Sequence, residues 1–137
     1  MTDESVDPPT LLLAHTVGPD RGADLRDRLV DDGLPADRVV AAATPEETDD
    51  HVADADGVVV GRLPEDLLDR ADSLRWVQAM SSGTDYLPVD DLADRGIALT
   101  NAAGVHAEPI GEQVLGYMLS FERRLHALGR QQAESRW

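Results

Sequence analysis

The chain has 137 residues, the length of one ordinary domain, and a formal net charge of −15 from 27 acidic and 12 basic residues. That sign excludes nucleic acid and anionic membrane surfaces as partners, because both repel an acidic protein. There is no cysteine, which excludes disulfides and thiolate-held metals.

All twelve basic residues are arginine. The acids are dispersed among apolar segments and 42% of residues are hydrophobic, so the charge does not mark a disordered acidic tail. Such a surface stays solvated and screened at molar salt; the composition reads as that of a haloarchaeal protein of the cytoplasm. No apolar run is long enough to span a bilayer, and MTDESVDPPT lacks the basic and apolar regions of a secretory leader.

Residues 1–9 are expected to be a flexible arm. TLLLAHT (10–16) is a short apolar run that predicts a buried strand. ADLRDRLVDDG follows with Leu25, Leu29 and Val30 on one helical face and Gly33 as the stop. RVVAAA (38–43) predicts the second strand, and TPEETDDHVADA a helix with Thr44 as N-cap and Pro45 at its first position. GVVVG (57–61) predicts the third strand and LPEDLLDRADS another helix opened by proline. LRWVQAM (74–80), VDDLADRG (89–96) and IALTN (97–101) predict a strand, a short helix and a strand. Apolar strands alternating with helices indicate a parallel sheet covered on both faces. The expected fold is α/β: a flavodoxin-like, doubly wound, five-stranded parallel sheet of order 2-1-3-4-5.

One long helix is expected from about 108 to 132. Ile110, Val114, Met118, Phe121, Leu125 and Leu128 recur at spacings of three and four, and Leu115 and Leu119 widen the stripe. At 1.5 Å per residue it would be roughly 37 Å long, more than a five-stranded domain needs as cover. Its apolar stripe therefore requires another surface, either a further domain or a second chain.

Ligands of doubly wound sheets bind beyond the carboxyl ends of the strands. There, Ser81-Ser82-Gly83-Thr84 can turn successive N–H groups inward as a nest for a carboxylate, or form an ordinary turn. Arg62 lies at the edge of the same face and can pair with an anion or balance neighbouring acids. His106 precedes the long helix on that side. With Glu108 and Glu112 it matches no metal-ligand spacing, and no metal is assigned. His15 and His51 read as structural or surface residues and His126 as part of the helix interface. The chain contains no GxSxG, P-loop or GxGxxG. A phosphorylated receiver domain is excluded too, since its strand-end acids and its lysine are missing.

WVQAMSSGTDYLPVDDLADRGIALTNAAGVHAEPIGEQVLGYML (76–119) resembles the D-2-hydroxyacid dehydrogenase family. Ser81, Gly83 and Asp85 form its S-x-G-x-D loop, followed by Arg95-Gly96-Ile97, Thr100-Asn101, Gly104 and Glu112. The first seventy residues match only in pattern. The resemblance implies a substrate-binding domain over 10–104, with 105–137 as the hinge loop and first helix of a Rossmann domain holding NAD or NADP. It implies that amides of Ser82 and Gly83 hold the carboxylate of a small 2-keto or 2-hydroxy acid, that Ser82 also approaches the cofactor, and that His106 and Arg62 contact substrate. It implies a homodimer through the helix, with Leu115, Met118, Phe121 and Leu125 at the interface. The family's dinucleotide fingerprint, orienting arginine and proton-transfer pair would lie beyond Trp137. No catalytic residue is therefore assigned, and the chain alone is expected to be inactive and to bind no cofactor. The alternative reading is a non-catalytic module that dimerises or binds a small carboxylate.

Overall fold

A computed structural model describes residues 8–136, so most of the arm expected over 1–9 lies outside the described residues. Five strands, β1 (Leu11–Leu13), β2 (Val39–Ala41), β3 (Gly57–Val60), β4 (Trp76–Ala79) and β5 (Ala98–Asn101), form one sheet of order β2-β1-β3-β4-β5. Every pairing is parallel, with Leu12 beside Val40 and Val58, and Val77 beside Val58 and Leu99. This is the flavodoxin-like arrangement expected from the strand pattern.

The helices are α1 (Pro19–Asp31), α2 (Pro45–Val52), α3 (Leu67–Arg70), α4 (Val89–Asp94), α5 (Ala107–Glu122) and α6 (Leu125–Ala133), with a 3-10 turn at His15–Val17. Alternation along the strands divides the core into two layers. Leu12, Val58, Val60 and Val77 pack with Val52 of α2, Leu67 of α3 and Leu92 of α4. Leu11, Leu13, Val39 and Val59 pack on the opposite face, against Leu25, Leu29 and Val30 of α1. All four positions of β3 are buried, as a central strand covered on both sides requires. Each fully buried Leu or Val contributes about 1.5–3 kcal/mol.

At the β4–β5 edge of the sheet, polar side chains on one face bond to one another. Trp76 Nε1 donates to Thr100 Oγ1 at 2.7 Å, Thr100 donates to Gln78 Oε1 at 2.7 Å, and Gln78 Nε2 donates to Ala79 O at 2.8 Å.

Local signals account for the helix starts. Thr44 Oγ1 accepts the Glu47 N–H at 3.2 Å while the Glu47 carboxylate accepts the Ala43 N–H at 2.7 Å, a reciprocal cap on α2. α1 starts earlier than its apolar pattern suggests, at Pro19, after Gly18 turns the chain at φ +93°. The proline's fixed φ suits a first helical position. α3 is only four residues long; Pro64 to Asp66 form a turn in which the Leu67 N–H reaches Pro64 O at 3.2 Å.

The long C-terminal helix expected over 108–132 is in fact two helices. α5 ends at Glu122, and Arg124 takes a left-handed conformation at φ +52° before α6 begins. α5 alone is therefore about 24 Å long. A left-handed arginine costs roughly 1–2 kcal/mol, and neither glycine nor proline marks the spot. The apolar spacing runs through the bend unaltered, so periodicity gives no warning of it. Across the bend the rings of Phe121 and His126 lie 6.1 Å apart, tilted by 58°.

The chain forms two compact units, one ending at Ala103 and the other beginning at Gly104. In the second unit no described residue of α5 or α6 is buried.

Candidate functional site

Within the first unit, the loops leaving the carboxyl ends of β1, β3 and β4 build one region. The loop after β4 is held by its carbonyls. Ser81 O accepts the Ala102 N–H at 2.9 Å, Ser82 O accepts Asn101 Nδ2 at 2.9 Å, and Gly83 O accepts Ser81 Oγ at 2.8 Å. Among the described residues nothing accepts from the N–H groups of Ser82, Gly83 or Thr84. A loop with its carbonyls tied back and its amides free has donors to offer an anion. A Cβ on Gly83 would meet only Asp85 Oδ2, at 4.0 Å, so the protein leaves the space over this residue open.

Tyr86 joins this loop to the end of β3. Ser81 Oγ gives its single proton to Gly83 O, so in the 2.5 Å contact between Ser81 Oγ and the Tyr86 hydroxyl the tyrosine donates. The same hydroxyl lies 3.4 Å from Gly61 O. Gly61 in turn donates its N–H to Thr16 Oγ1 at 3.2 Å, which closes the circuit to the loop after β1.

Between these loops opens a cleft of about 640 Å³, with His15, Thr16, Arg62, Glu65, Asp85 and Tyr86 among its walls. Arg62 is exposed and makes no hydrogen bond or ion pair with a described residue. By contrast Arg70, Arg75 and Arg95 are each paired with an aspartate. The cleft therefore sets one available cation against the carboxylates of Glu65 and Asp85.

Ser82, Gly83 and Arg62 all stand in this first unit, in the loops beyond the carboxyl ends of β3 and β4. His106 belongs to the second unit, as the residue before α5, and its side chain makes no capping bond there. Leu115, Met118 and Phe121 lie on α5 and Leu125 on α6, all exposed. Sequence reasoning missed His15 and Tyr86 as cleft residues. The signal available for His15 was its place at the carboxyl end of the first strand. Asn101 was visible only as part of a motif, without its role as a clamp.

A dinucleotide needs a glycine-rich turn running directly into a helix N-terminus, so that backbone amides meet the pyrophosphate. Here α1 and α2 both open on proline, which removes an amide from each first turn, and GxGxxG is absent. The described residues do not fit that group. They also gather no cluster of three or more His, Asp or Glu suited to a metal. No helix among them is long and apolar enough to cross a membrane.

Fold and site together define an open, parallel α/β domain that presents free amides and a polar cleft beyond the carboxyl ends of its strands, the usual ligand position of such sheets. Residues 14–123 match the family described as D-isomer specific 2-hydroxyacid dehydrogenase, catalytic domain, and the chain belongs to that family. It is 39% identical over 82 residues to erythronate-4-phosphate dehydrogenase of Shewanella loihica, covering 58% of this chain and 22% of that protein. It is 32% identical over 77 residues to glyoxylate/hydroxypyruvate reductase B of Yersinia enterocolitica, covering 56% and 24%. Among solved structures, a D-isomer specific 2-hydroxyacid dehydrogenase family protein of Aeromonas salmonicida aligns with a TM-score of 0.64 at 27% identity, over 96% of this chain and 41% of that one. The NADPH-dependent glyoxylate/hydroxypyruvate reductase of Sinorhizobium meliloti, in complex with citrate, aligns at 0.61 and 25%, over 94% and 40%. The matches thus span under a quarter of the curated relatives' length and about 40% of the solved chains.

Proposed function

We propose that the chain is the substrate-binding part of an NAD(P)-dependent D-2-hydroxyacid dehydrogenase, interconverting a 2-keto acid and a D-2-hydroxy acid. Family membership supports the reaction class. The observation that carries the site is the loop after β4, whose carbonyls are engaged while the amides of Ser82 and Gly83 have no acceptor. A carboxylate is the natural occupant, because charge-assisted N–H bonds to an anion are about twice as strong as neutral ones. Arg62, unpaired at the cleft, adds the positive charge that an acid needs. In this reading His106 reaches substrate from the hinge loop and Ser82 also faces the nicotinamide. Citrate is bound in the Sinorhizobium relative's structure, in keeping with a family that handles small carboxylic acids.

NAD or NADP supplies the hydride when bound. Among the described residues no glycine-rich turn runs into a helix N-terminus to hold its pyrophosphate, so in this reading the chain alone grips the acid without reducing it, and its amides do the positioning that hydride transfer requires. The exposed apolar residues of α5 and α6, Leu115, Met118, Phe121 and Leu125, form a homodimer contact. The charge of −15 fits a salt-rich cytoplasm, where it is screened.

The test is a titration of pyruvate into the isotope-labelled chain at molar potassium chloride, followed by amide resonances. The signals of Ser82 and Gly83 should move saturably and those of α1 should not. If these two amides stay still while others respond, the carboxylate is held elsewhere and this reading is wrong.

A further inference from the structure

The carboxylate reading leaves one polar side chain of the adjoining cleft without a task. His15 hangs from the end of β1 with both its backbone N–H and its ring Nδ1 on Thr48 Oγ1, at 3.0 and 2.9 Å. Thr48 is 1% exposed, and its hydroxyl lies 3.2 Å from Thr44 O. When the single hydroxyl proton of Thr48 goes to Thr44 O, both its lone pairs face His15. The ring proton must then sit on Nδ1. In the neutral imidazole this leaves Nε2 as a bare acceptor. The Nδ1 edge is turned to a buried threonine, so the ring edge available to the cleft is the one that carries Nε2.

The other cleft groups sharpen the chemistry. Glu65 and Asp85 are acceptors only, and Arg62 is the single cation against them. A second carboxylate or a phosphate at the far end of a substrate would meet two like charges for one opposite. A plain alkyl chain would desolvate acceptors and give them nothing in return. A hydroxyl satisfies both kinds of neighbour, donating to an acceptor and accepting from Arg62.

Building on the carboxylate reading above, we propose that this cleft is the subsite for a hydroxylated side chain. The substrate is a short 2-keto or 2-hydroxy acid with at least one further hydroxyl group, which donates to Nε2 of His15. His15 is thus a specificity-determining residue, and Thr48 positions it by fixing the tautomer.

Two four-carbon acids, D-erythronate and D-2-hydroxybutyrate, differ by two hydroxyls and isolate the effect. Calorimetry with the 137-residue chain at molar salt should give D-erythronate at least about tenfold tighter binding. His15→Phe should abolish that preference by weakening D-erythronate binding, with no loss of D-2-hydroxybutyrate affinity. In the unliganded chain, long-range proton–nitrogen spectra should show the neutral His15 ring protonated on Nδ1, and Thr48→Val should shift it toward Nε2. Equal affinity for the two acids overturns the hydroxyl subsite but leaves the carboxylate reading intact. Failure of both to bind removes the two together. A preference that survives His15→Phe, tighter binding of erythronate 4-phosphate than of erythronate, or an Nε2-protonated His15 in the free protein each overturns this proposal by itself.

Discussion

A side-chain carbon on Gly61 would stand 2.1 Å from the carbonyl oxygen of Thr16, far inside contact distance. The loops leaving β1 and β3 meet backbone to backbone at this point, and the contact holds His15 and Arg62 on the walls of one cleft. Gly61→Ala must displace the His15–Val17 turn. The obstacle is main chain and not the tip of a flexible side chain, so the cost should fall near the upper end of the roughly 1–3 kcal/mol typical of overpacking. A urea titration at high salt measures it. A midpoint equal to that of the unsubstituted chain would show that the turn yields freely, contrary to this account.

Asn101 clamps the candidate nest from the next strand, with Nδ2 on Ser82 O at 2.9 Å and Oδ1 accepting the Ala103 N–H at 3.3 Å. Asn101→Asp keeps the shape but replaces the donor with a carboxylate oxygen that repels both the Ser82 carbonyl and an incoming acid. Pyruvate affinity should drop at least about tenfold, or 1.4 kcal/mol, with much less loss of global stability because the site is exposed. Affinity preserved in this variant would mean that the loop keeps its shape unaided.

What the sequence reveals and conceals here follows from distance along the chain. The sheet order was legible because each strand is a short apolar run and each neighbouring helix has a local start signal, Thr44-Pro45 being the clearest. The S-x-G-x-D loop was legible because its spacing is local. The restraints that shape the candidate site and its cleft are not local: Asn101 reaches Ser82 across 19 positions and Thr48 reaches His15 across 33. The parallel sheet and the packing of α2 beside β1 bring them together. The bend at Arg124 was hidden for a different reason, since FERRLH holds no helix breaker and its apolar spacing is compatible with one straight helix.

Acid should weaken the fold partly through Asp56. Its Oδ2 accepts the Thr10 N–H at 2.9 Å, its Oδ1 accepts Arg75 Nη2 at 2.5 Å, and its own N–H returns to Thr10 O at 2.9 Å. The Thr10 amide first, and the Arg75 guanidinium second, hold this carboxyl below its ordinary range. The unfolded chain therefore binds the proton more readily, so the stabilisation is complete above the ordinary carboxylate value and is lost as pH falls through the depressed folded one. Asp56→Asn should cost about 1 kcal/mol at neutral pH, and the deficit should shrink steadily below about pH 4. Denaturant midpoints for both proteins from pH 7 to pH 3 give the comparison, with the large background charge common to the two. A deficit independent of pH would assign the loss to packing and not to the charge.

The exposed helices make the last prediction. On α5, Phe121 is 73% exposed, Met118 62% and Leu115 60%. At 100° per residue, Ile110, Val114, Tyr117, Met118 and Phe121 fall on one flank, while Leu115 and Leu119 form a second. Contiguous apolar surface of this kind marks an interaction site, and two flanks call for cover from two sides. If one cover is a second copy of the chain, sedimentation at molar salt should show dimers at micromolar concentration. Phe121→Asp and Leu115→Asp should each weaken association by at least about 2 kcal/mol, because a carboxylate without a partner resists burial. Because the residues are exposed, neither change should disturb the sheet, so the far-ultraviolet spectrum of the soluble variants should match the parent. A monomeric unsubstituted chain, or variants that dimerise as tightly as it does, would rule out this helix as the contact between copies.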